Sequence, residues 1–272
     1  MNLKVFIQSN IRVEVPALVA KYCFQELNPG IPVELITPEE FPELKAFDGR
    51  PFQRGGQKCF WRIDTAQSFF PVRFLVPEKL GYSGIGLVFD PDIFAIKPIN
   101  SLSNYFVDHA IGACMGWNNL PTSCMMVLDA SRLTDWSLDY IIRSMFIEHE
   151  DFDEWMYLQK FAGTASLATL PDQYNQIDKI LENTIFLHTN KTETQPWKTG
   201  LKYCSCEIHN REKCISCQKK LTFQRHASSK VERYFFQSAH DAIKNDVLPM
   251  ATVETSIRNG WVRSDFLNML EQ

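Results

Sequence analysis

A chain of 272 residues, 45% apolar and 12% aromatic, is long enough for one large domain or two small ones and can bury a substantial core. Its formal net charge of −4 supplies no basic field for nucleic acid. No apolar run approaches the ~20 residues that span a bilayer, and the apolar part of Met1–Ile7 is too short for a signal peptide. The expectation is a cytoplasmic protein whose eight cysteines are reduced or metal-bound.

Leu3 to Ile7 reads as a strand, and Gln8-Ser9-Asn10 as the polar turn that ends it. Val15 to Leu27 carries apolar residues at helical spacing, with Pro16 in the first turn, where proline is tolerated. Asn28-Pro29-Gly30 stops that helix, and Val33 to Ile36 is a second strand. A strand, a helix and a strand in this span predict a βαβ unit and a parallel sheet. Residues 44–64 are rich in Arg, Gly and Pro and read as a long loop. Arg50, Arg54 and Arg62 in it are either ligand contacts or solvated surface charge. Residues 65–80 are largely apolar, are kinked by Pro71 and carry one cation, Arg73. An arginine in such a stretch must find an anion or reach water.

Ile85 to Phe89 is an apolar run interrupted only by Gly86, as expected of a buried central strand. It ends in Asp90 and Asp92, where open α/β sheets bind ligands beyond the carboxyl ends of their strands. On extended backbone, residues two apart share a side, and Pro91 stiffens the junction. Two carboxylates on one side repel unless a cation lies between them, and hard Mg²⁺ or Mn²⁺ takes such oxygens and bridges to phosphates. The competing reading is a strand followed by an acidic turn, since Asp-Pro is also turn chemistry.

Ile99 to Phe106 reads as a short helix; Ala110 to Met115 and Cys124 to Leu128 read as buried strands joined by a polar turn over 116–123. Leu133 to Phe146 and Phe152 to Phe161 read as helices, the second entered through Glu148, Glu150, Asp151 and Asp153, which suit a helix N-terminus. Leu170 to Asn175 is a turn. Ile185 to Leu187 is a short strand ending at His188, which is a structural hydrogen-bonder or a metal ligand. Lys191 and Lys198 follow in a loop. From Ser229 the chain is helical again, with capping-box spacing from Ser229 to Glu232. Val253 to Ile257 and Phe266 to Leu270 are closing helices split by Gly260.

Residues 201–220 break composition. Cys204-x-Cys206 and Cys214-x-x-Cys217 flank a polar seven-residue loop whose one apolar residue, Ile208, cannot make a core. Two paired arms of this kind hold tetrahedral Zn²⁺ through four thiolates, and metal binding then supplies the folding free energy. The prediction is a structural zinc site with no open position, His209 ranking second as a ligand. Two disulfides, disfavoured in a reducing compartment, or four unrelated thiols are the alternatives.

Taken in order, several stretches resemble the retaining nucleotide-sugar glycosyltransferases of the glycogenin and bacterial galactosyltransferase kind. These are Arg73-Phe74-Leu75-Val76-Pro77, then Asp90-Pro91-Asp92, then the strand opening at Thr122-Ser123, then Asp151-Phe152-Asp153. Leu170-Pro171 with Tyr174-Asn175, and His188 with Pro196-Trp197 and Gly200, complete the series over residues 3–200. The resemblance implies an α/β GT-A fold, a Rossmann-like mixed sheet flanked by helices. A nucleotide-sugar-binding catalytic domain would span 1–200, the Cys-rich zinc-binding insertion 201–220, and a helical segment packed on the catalytic domain 221–272.

It further implies divalent-metal-dependent, retaining transfer from a nucleotide-diphosphate donor, a UDP-sugar, to a glycan, lipid or protein acceptor. Asp90, Asp92 and His188 would hold one ion on the diphosphate, the imidazole favouring Mn²⁺ over Mg²⁺. Arg73 and Asp153 would be the catalytic residues. Arg73 with Lys191 or Lys198 would add positive charge near the leaving group, and Asp153 would orient donor hydroxyls. Gln8, Ser9 and Asn10 would contact the nucleotide, with Thr122 and Ser123 near the donor sugar. Two positions depart from the family: Gln195 stands where a lysine is usual, and Thr122 where an asparagine is. A phosphohydrolase with an Asp-x-Asp nucleophile is discounted, because the pair comes late and Phe94 follows it where Thr or Val is expected. A non-catalytic sugar-nucleotide-binding or scaffold protein on the same fold is the remaining alternative.

Overall fold

Leu3–Gln8 (β1), Glu14–Leu27 (α1) and Val33–Ile36 (β2) form the expected unit in the computed structural model, with β1 and β2 parallel and Val5 opposite Val33. The structure describes residues 3–65, 68–99, 102, 109–116, 119–159, 166–203 and 221–271. Most of the helix expected over 99–106 and the last two residues of the one expected over 152–161 fall outside these, as do Cys204, Cys206, His209, Cys214 and Cys217.

The stretch 44–64 is not a loop. Pro51–Arg54 (β3) and Gln57–Phe60 (β4) pair antiparallel, with Phe52 opposite Cys59. Gly55 and Gly56 join them at φ of +58° and +70°, as a two-residue hairpin turn requires. That Gly-Gly connection was the signal to read. A 3₁₀ helix, Phe70–Leu75, runs into one α-turn, Val76–Lys79 (α2), and leads to the fully buried Ile85–Phe89 (β5).

Asp90 and Asp92 then lie in a turn rather than on extended backbone: the Ile93 amide donates to the Asp90 carbonyl at 3.2 Å before Ile93–Ala95 (β6) begins. The same-side argument for the pair therefore does not apply, and tertiary partners set both carboxylates. Ile111–Met115 (β7) is followed by Pro121–Asp129 (β8), which opens early enough that Thr122 and Ser123 are strand residues.

The helix expected over 133–146 is confined to Leu138–Ile142 (α3), which starts where Ser137 Oγ accepts from the Tyr140 amide. It continues as a π-turn over Arg143–Ile147. Phe152–Met156 (α4), Leu167–Leu170 (β9), Gln176–Ile177 (β10) and Phe186–His188 (β11) follow. Lys202–Tyr203 (β12) pairs with Leu221–Thr222 (β13). Ser229–Lys244 (α5), Met250–Arg258 (α6) and Phe266–Met269 (α7) close the chain. The cap of α5 is Ser228, not Ser229, its hydroxyl accepting from the Val231 amide.

The six-stranded sheet has the order β2-β1-β5-β8-β7-β9, in which β8 alone runs against the others. A second small sheet, β10-β11-β6, sets His188 opposite Ile93. Alternation along each strand divides the core. Val5, Ile7, Leu87, Phe89, Met125 and Val127 pack with α1, α5 and Phe266 on one face. Phe6, Val88, Met126 and Leu128 pack with Val72, Phe74, Trp136 and Trp155 on the other. β1 and β5 thus end side by side where the antiparallel β8 begins, and the candidate site is built on that edge.

Candidate active site

Asp90 is fastened to the start of β8 by its amide, which donates to the Cys124 carbonyl at 2.9 Å. Its Oδ1 accepts from Gln8 Nε2 and from Arg73 Nη2, both at 2.8 Å. Arg73 has no exposed surface and spends the rest of its guanidinium on Ser123 O and Oγ (2.7 and 3.0 Å) and Phe70 O (3.1 Å). The Arg73 N–H groups face protein, and its charge is set directly against Asp90. Burial pushes the Asp90 carboxyl above its ordinary value; Arg73 opposes that and Asp92 adds to it.

Gln8, Ser9 and Asn10 also turn inward. Gln8 donates to Phe89 O as well as to Asp90, leaving its Oε1 buried without a partner. Asn10 Nδ2 donates to Thr65 O and Ser68 Oγ, at 2.7 and 2.9 Å. The Gln8 and Asn10 side chains hold the end of β1 to its neighbours, and Ser9 Oγ donates to Asn10 O at 3.4 Å.

A second group gathers on the small sheet. The Thr189 amide and hydroxyl both donate to the Asp92 carbonyl, at 3.0 and 3.2 Å. Gln195 Nε2 donates to Asp92 Oδ2 at 2.7 Å and to Thr189 O at 3.2 Å. His188 Nδ1 meets Asn175 Oδ1 at 2.8 Å, and its Nε2 faces Asp92 Oδ1 at 3.4 Å. An amide oxygen only accepts, so Nδ1 carries the hydrogen and Nε2 is turned to the carboxylate, the arrangement of a metal-ligating imidazole. Burial disfavours the imidazolium, but Asp92, then Asp90 and Asp178, outweigh it and hold the His188 pKa above its ordinary value.

Cys124 links the two groups: ligand atoms of Asp90, Cys124 and His188 all lie within 4.8 Å of one another. Burial, aided by the Asp90 charge, pushes its thiol up to about 12, and Thr122 Oγ1 lies 2.9 Å from its sulfur. The sequence reading missed Cys124 because a cysteine inside an apolar strand carries no local mark. It likewise placed Asn175 in a turn without assigning its partner.

The other expected residues stand apart. Asp153 accepts from Arg54 Nε at 3.0 Å, and Arg54 lies over the ring of Phe70. Lys191 is exposed, whereas Lys198 is half-buried over the Phe223 ring at 5.4 Å. Burial pulls the Lys198 amine down to about 8 against the attraction of Asp92, so Lys198 is the loop lysine within reach of the acidic pair's field. Among the described residues, the Asp90 carboxylate, the Cys124 thiol and the His188 imidazole, which is oriented by Asn175 and faces Asp92, are the groups close enough together to hold a metal ion. Among the described residues Cys23, Cys59, Cys114 and Cys124 form no disulfide, and no helix is long and apolar enough to cross a membrane.

No family model matches the chain, and no curated protein matches it in sequence. Solved structures do match its fold. The galactosyltransferase LgtC, in complex with donor and acceptor sugar analogues, aligns at a TM-score of 0.52 and 10% identity over 94% of this chain and 99% of LgtC. The apo-form glycosyltransferase GlyE of Streptococcus pneumoniae TIGR4 aligns at 0.52 and 13% identity over 91% of this chain, which spans 64% of GlyE. At these identities the likeness is one of architecture: this chain has the GT-A fold, a mixed sheet flanked by helices, of those glycosyltransferases.

Proposed function

We propose that this protein is a glycosyltransferase that moves a sugar from a nucleotide-diphosphate donor, of the UDP-sugar kind, to a glycan, lipid or protein acceptor. The reaction is divalent-metal dependent and retains the anomeric configuration. The observation that carries the reading is that ligand atoms of Asp90, Cys124 and His188 lie within 4.8 Å of one another, with Asp92 Oδ1 3.4 Å from His188 Nε2, in a fold that aligns over 94% of this chain with a galactosyltransferase.

Asp90, Asp92 and His188 would hold Mn²⁺ or Mg²⁺, which when bound neutralises the charge that grows on a diphosphate leaving group. Arg73 acts through Asp90, opposing the rise in pKa that burial imposes on that carboxyl. Lys198 offers a second positive charge toward the diphosphate, with Lys191 further out. Asp153, in the first turn of α4, would orient the donor sugar's hydroxyls. The four cysteines Cys204, Cys206, Cys214 and Cys217 bind structural zinc, and the protein works in the cytoplasm.

One observation favours a second reading, a sugar-nucleotide-binding scaffold. Protein donors already hold one oxygen of each carboxylate, and the donor to Asp92 is the neutral Gln195. Incubation with UDP-glucose or UDP-galactose and Mn²⁺ separates the two. Metal-dependent release of UDP that is lost in Asp90→Asn and Asp92→Asn is the expected result. A thermal shift by donor and Mn²⁺ without UDP release would favour the scaffold, and neither shift nor release would overturn both.

A further inference from the structure

Two glutamines flank the acidic pair in the same way, although they come from opposite ends of the catalytic fold. Gln8 ends β1 and is fully buried; Gln195 lies in the loop after β11 and is 5% exposed. Gln8 Nε2 gives one hydrogen to Asp90 Oδ1 at 2.8 Å and the other to the Phe89 carbonyl at 3.3 Å. Gln195 Nε2 gives one to Asp92 Oδ2 at 2.7 Å and the other to the Thr189 carbonyl at 3.2 Å. Each amide thereby ties a carboxylate to the backbone of the strand or loop beside it. Each also leaves its own Oε1 buried with no partner among the described residues.

We propose that Gln8 and Gln195 are positioning residues that hold Asp90 and Asp92 in the orientation of cation ligands, one amide to each carboxylate. This rests on the reading of Asp90, Asp92 and His188 as the ligands of a divalent ion. The chemistry favours an amide for the task. A lysine or arginine would cancel the carboxylate charge that attracts the cation, as Arg73 already does in part for Asp90. An aliphatic side chain would leave the carboxylate free to rotate. An amide fixes one oxygen and leaves the charge in place. The oxygens left over are Asp90 Oδ2 and Asp92 Oδ1, and Asp92 Oδ1 is the one that faces His188 Nε2. A residue needed only to fill space at these positions would be apolar, since a buried amide oxygen without a partner is a burden on the fold. The proposal also accounts for Gln195 itself: its side chain serves a metal ligand rather than a phosphate.

The test is Mn²⁺ binding by the full-length protein without donor, read as free Mn²⁺ by electron paramagnetic resonance. Gln8→Met and Gln195→Met keep length and remove the donors. Each is expected to weaken Mn²⁺ binding about 10-fold or more, as loss of outer partners of metal ligands does. Asp92→Asn is the reference for a lost ligand. A metal-free thermal melt separates the roles, because a packing residue lowers the melting temperature and leaves the Mn²⁺ affinity alone. Wild-type affinity in Gln195→Met, with binding lost in Asp92→Asn, would overturn this proposal and leave the metal site standing. No Mn²⁺ or Mg²⁺ binding by the wild type would overturn both. Should Gln8→Met fail to fold, Gln195→Met and the shorter Gln195→Asn, whose amide cannot span to Asp92, decide the matter by the same readout.

Discussion

The carboxylate of Asp151 holds two elements at once. It accepts from the Asp153 amide at 2.9 Å, which caps α4, and from the Gly55 and Gly56 amides at 2.8 and 2.6 Å, which grips the β3–β4 turn. Burial is the largest single influence and raises its pKa, but the three backbone donors and the Arg54 charge together outweigh it, so the folded value lies below the ordinary one. The sign follows: a depressed folded pKa adds stability that is present above the unfolded value and is lost as pH falls through the folded one. Asp151→Ala should lower stability by about 1–2 kcal/mol at neutral pH, the size of a lost helix cap. The gap between variant and wild type should narrow once the pH is below both values. Urea denaturation at the two pH values checks this; a gap independent of pH would assign the loss to the side chain's packing instead. In the sequence Asp151 is legible only as an acid near a helix start, because the glycines it holds lie nearly 100 positions earlier (|i−j| of 96 and 95).

At the scale of the element, β5 is defined by what it lacks. A Cβ built on Gly86 would sit 2.6 Å from Val76 Cγ1 and 3.2 Å from Leu80 Cδ1. The glycine lets α2 lie directly on the strand, and the 3₁₀ turn before α2 carries Arg73 to Asp90. Val76 is β-branched and stiff at χ1, so its methyl has little room to give. Gly86→Ala should therefore destabilise by about 1–3 kcal/mol through overpacking. Chemical denaturation measures it, and an unchanged midpoint would mean that α2 shifts freely over β5. The interruption of an apolar run is visible in the sequence; that it marks the seat of a helix is not.

At the scale of the molecule, the chain after the His188 loop is locked to the sheet. Val231, Phe235, Phe236 and Phe266 belong to the same core as Val5, Leu87 and Phe89. Glu232, 4% exposed, accepts from Arg225 Nε at 2.7 Å and lies 3.6 Å from Arg263 Nη1, while the Arg263 amide donates to the Trp197 carbonyl. Between these anchors β12 and β13 set Tyr203 opposite Leu221, so residues 204–220 leave and return at one point. The Gly200 amide donates to Phe223 O and the Gln224 amide to Glu193 O, which ties that point to the loop carrying Gln195 and Lys198. Four thiolates in such a span should bring about one zinc per chain, seen by elemental analysis and removed in Cys214→Ser with Cys217→Ser. Zinc absent from protein purified without chelator, with all four thiols freely titratable, would end that proposal.

By itself the sequence determines β1, α1, β2, β5 and α5. Each of these elements buries one face or both, and burial imposes a period that a single chain displays. It also marks Asp90, Asp92 and His188 as chemistry placed at element ends. The Gly55-Gly56 turn marks the β3–β4 hairpin in the sequence, but its grip by Asp151 does not show there, and α3 is short because it starts only at the Ser137 cap. Only the tertiary structure decides what each site side chain does. Gln8 and Asp90 are 82 positions apart, and Gln195 and Asp92 are 103 apart. Periodicity describes neighbours along the chain, whereas a buried hydrogen bond depends on which strand ends the packed sheet brings together. That is why the pairing of Arg73 with Asp90, 17 positions along the chain, is seen only in the fold.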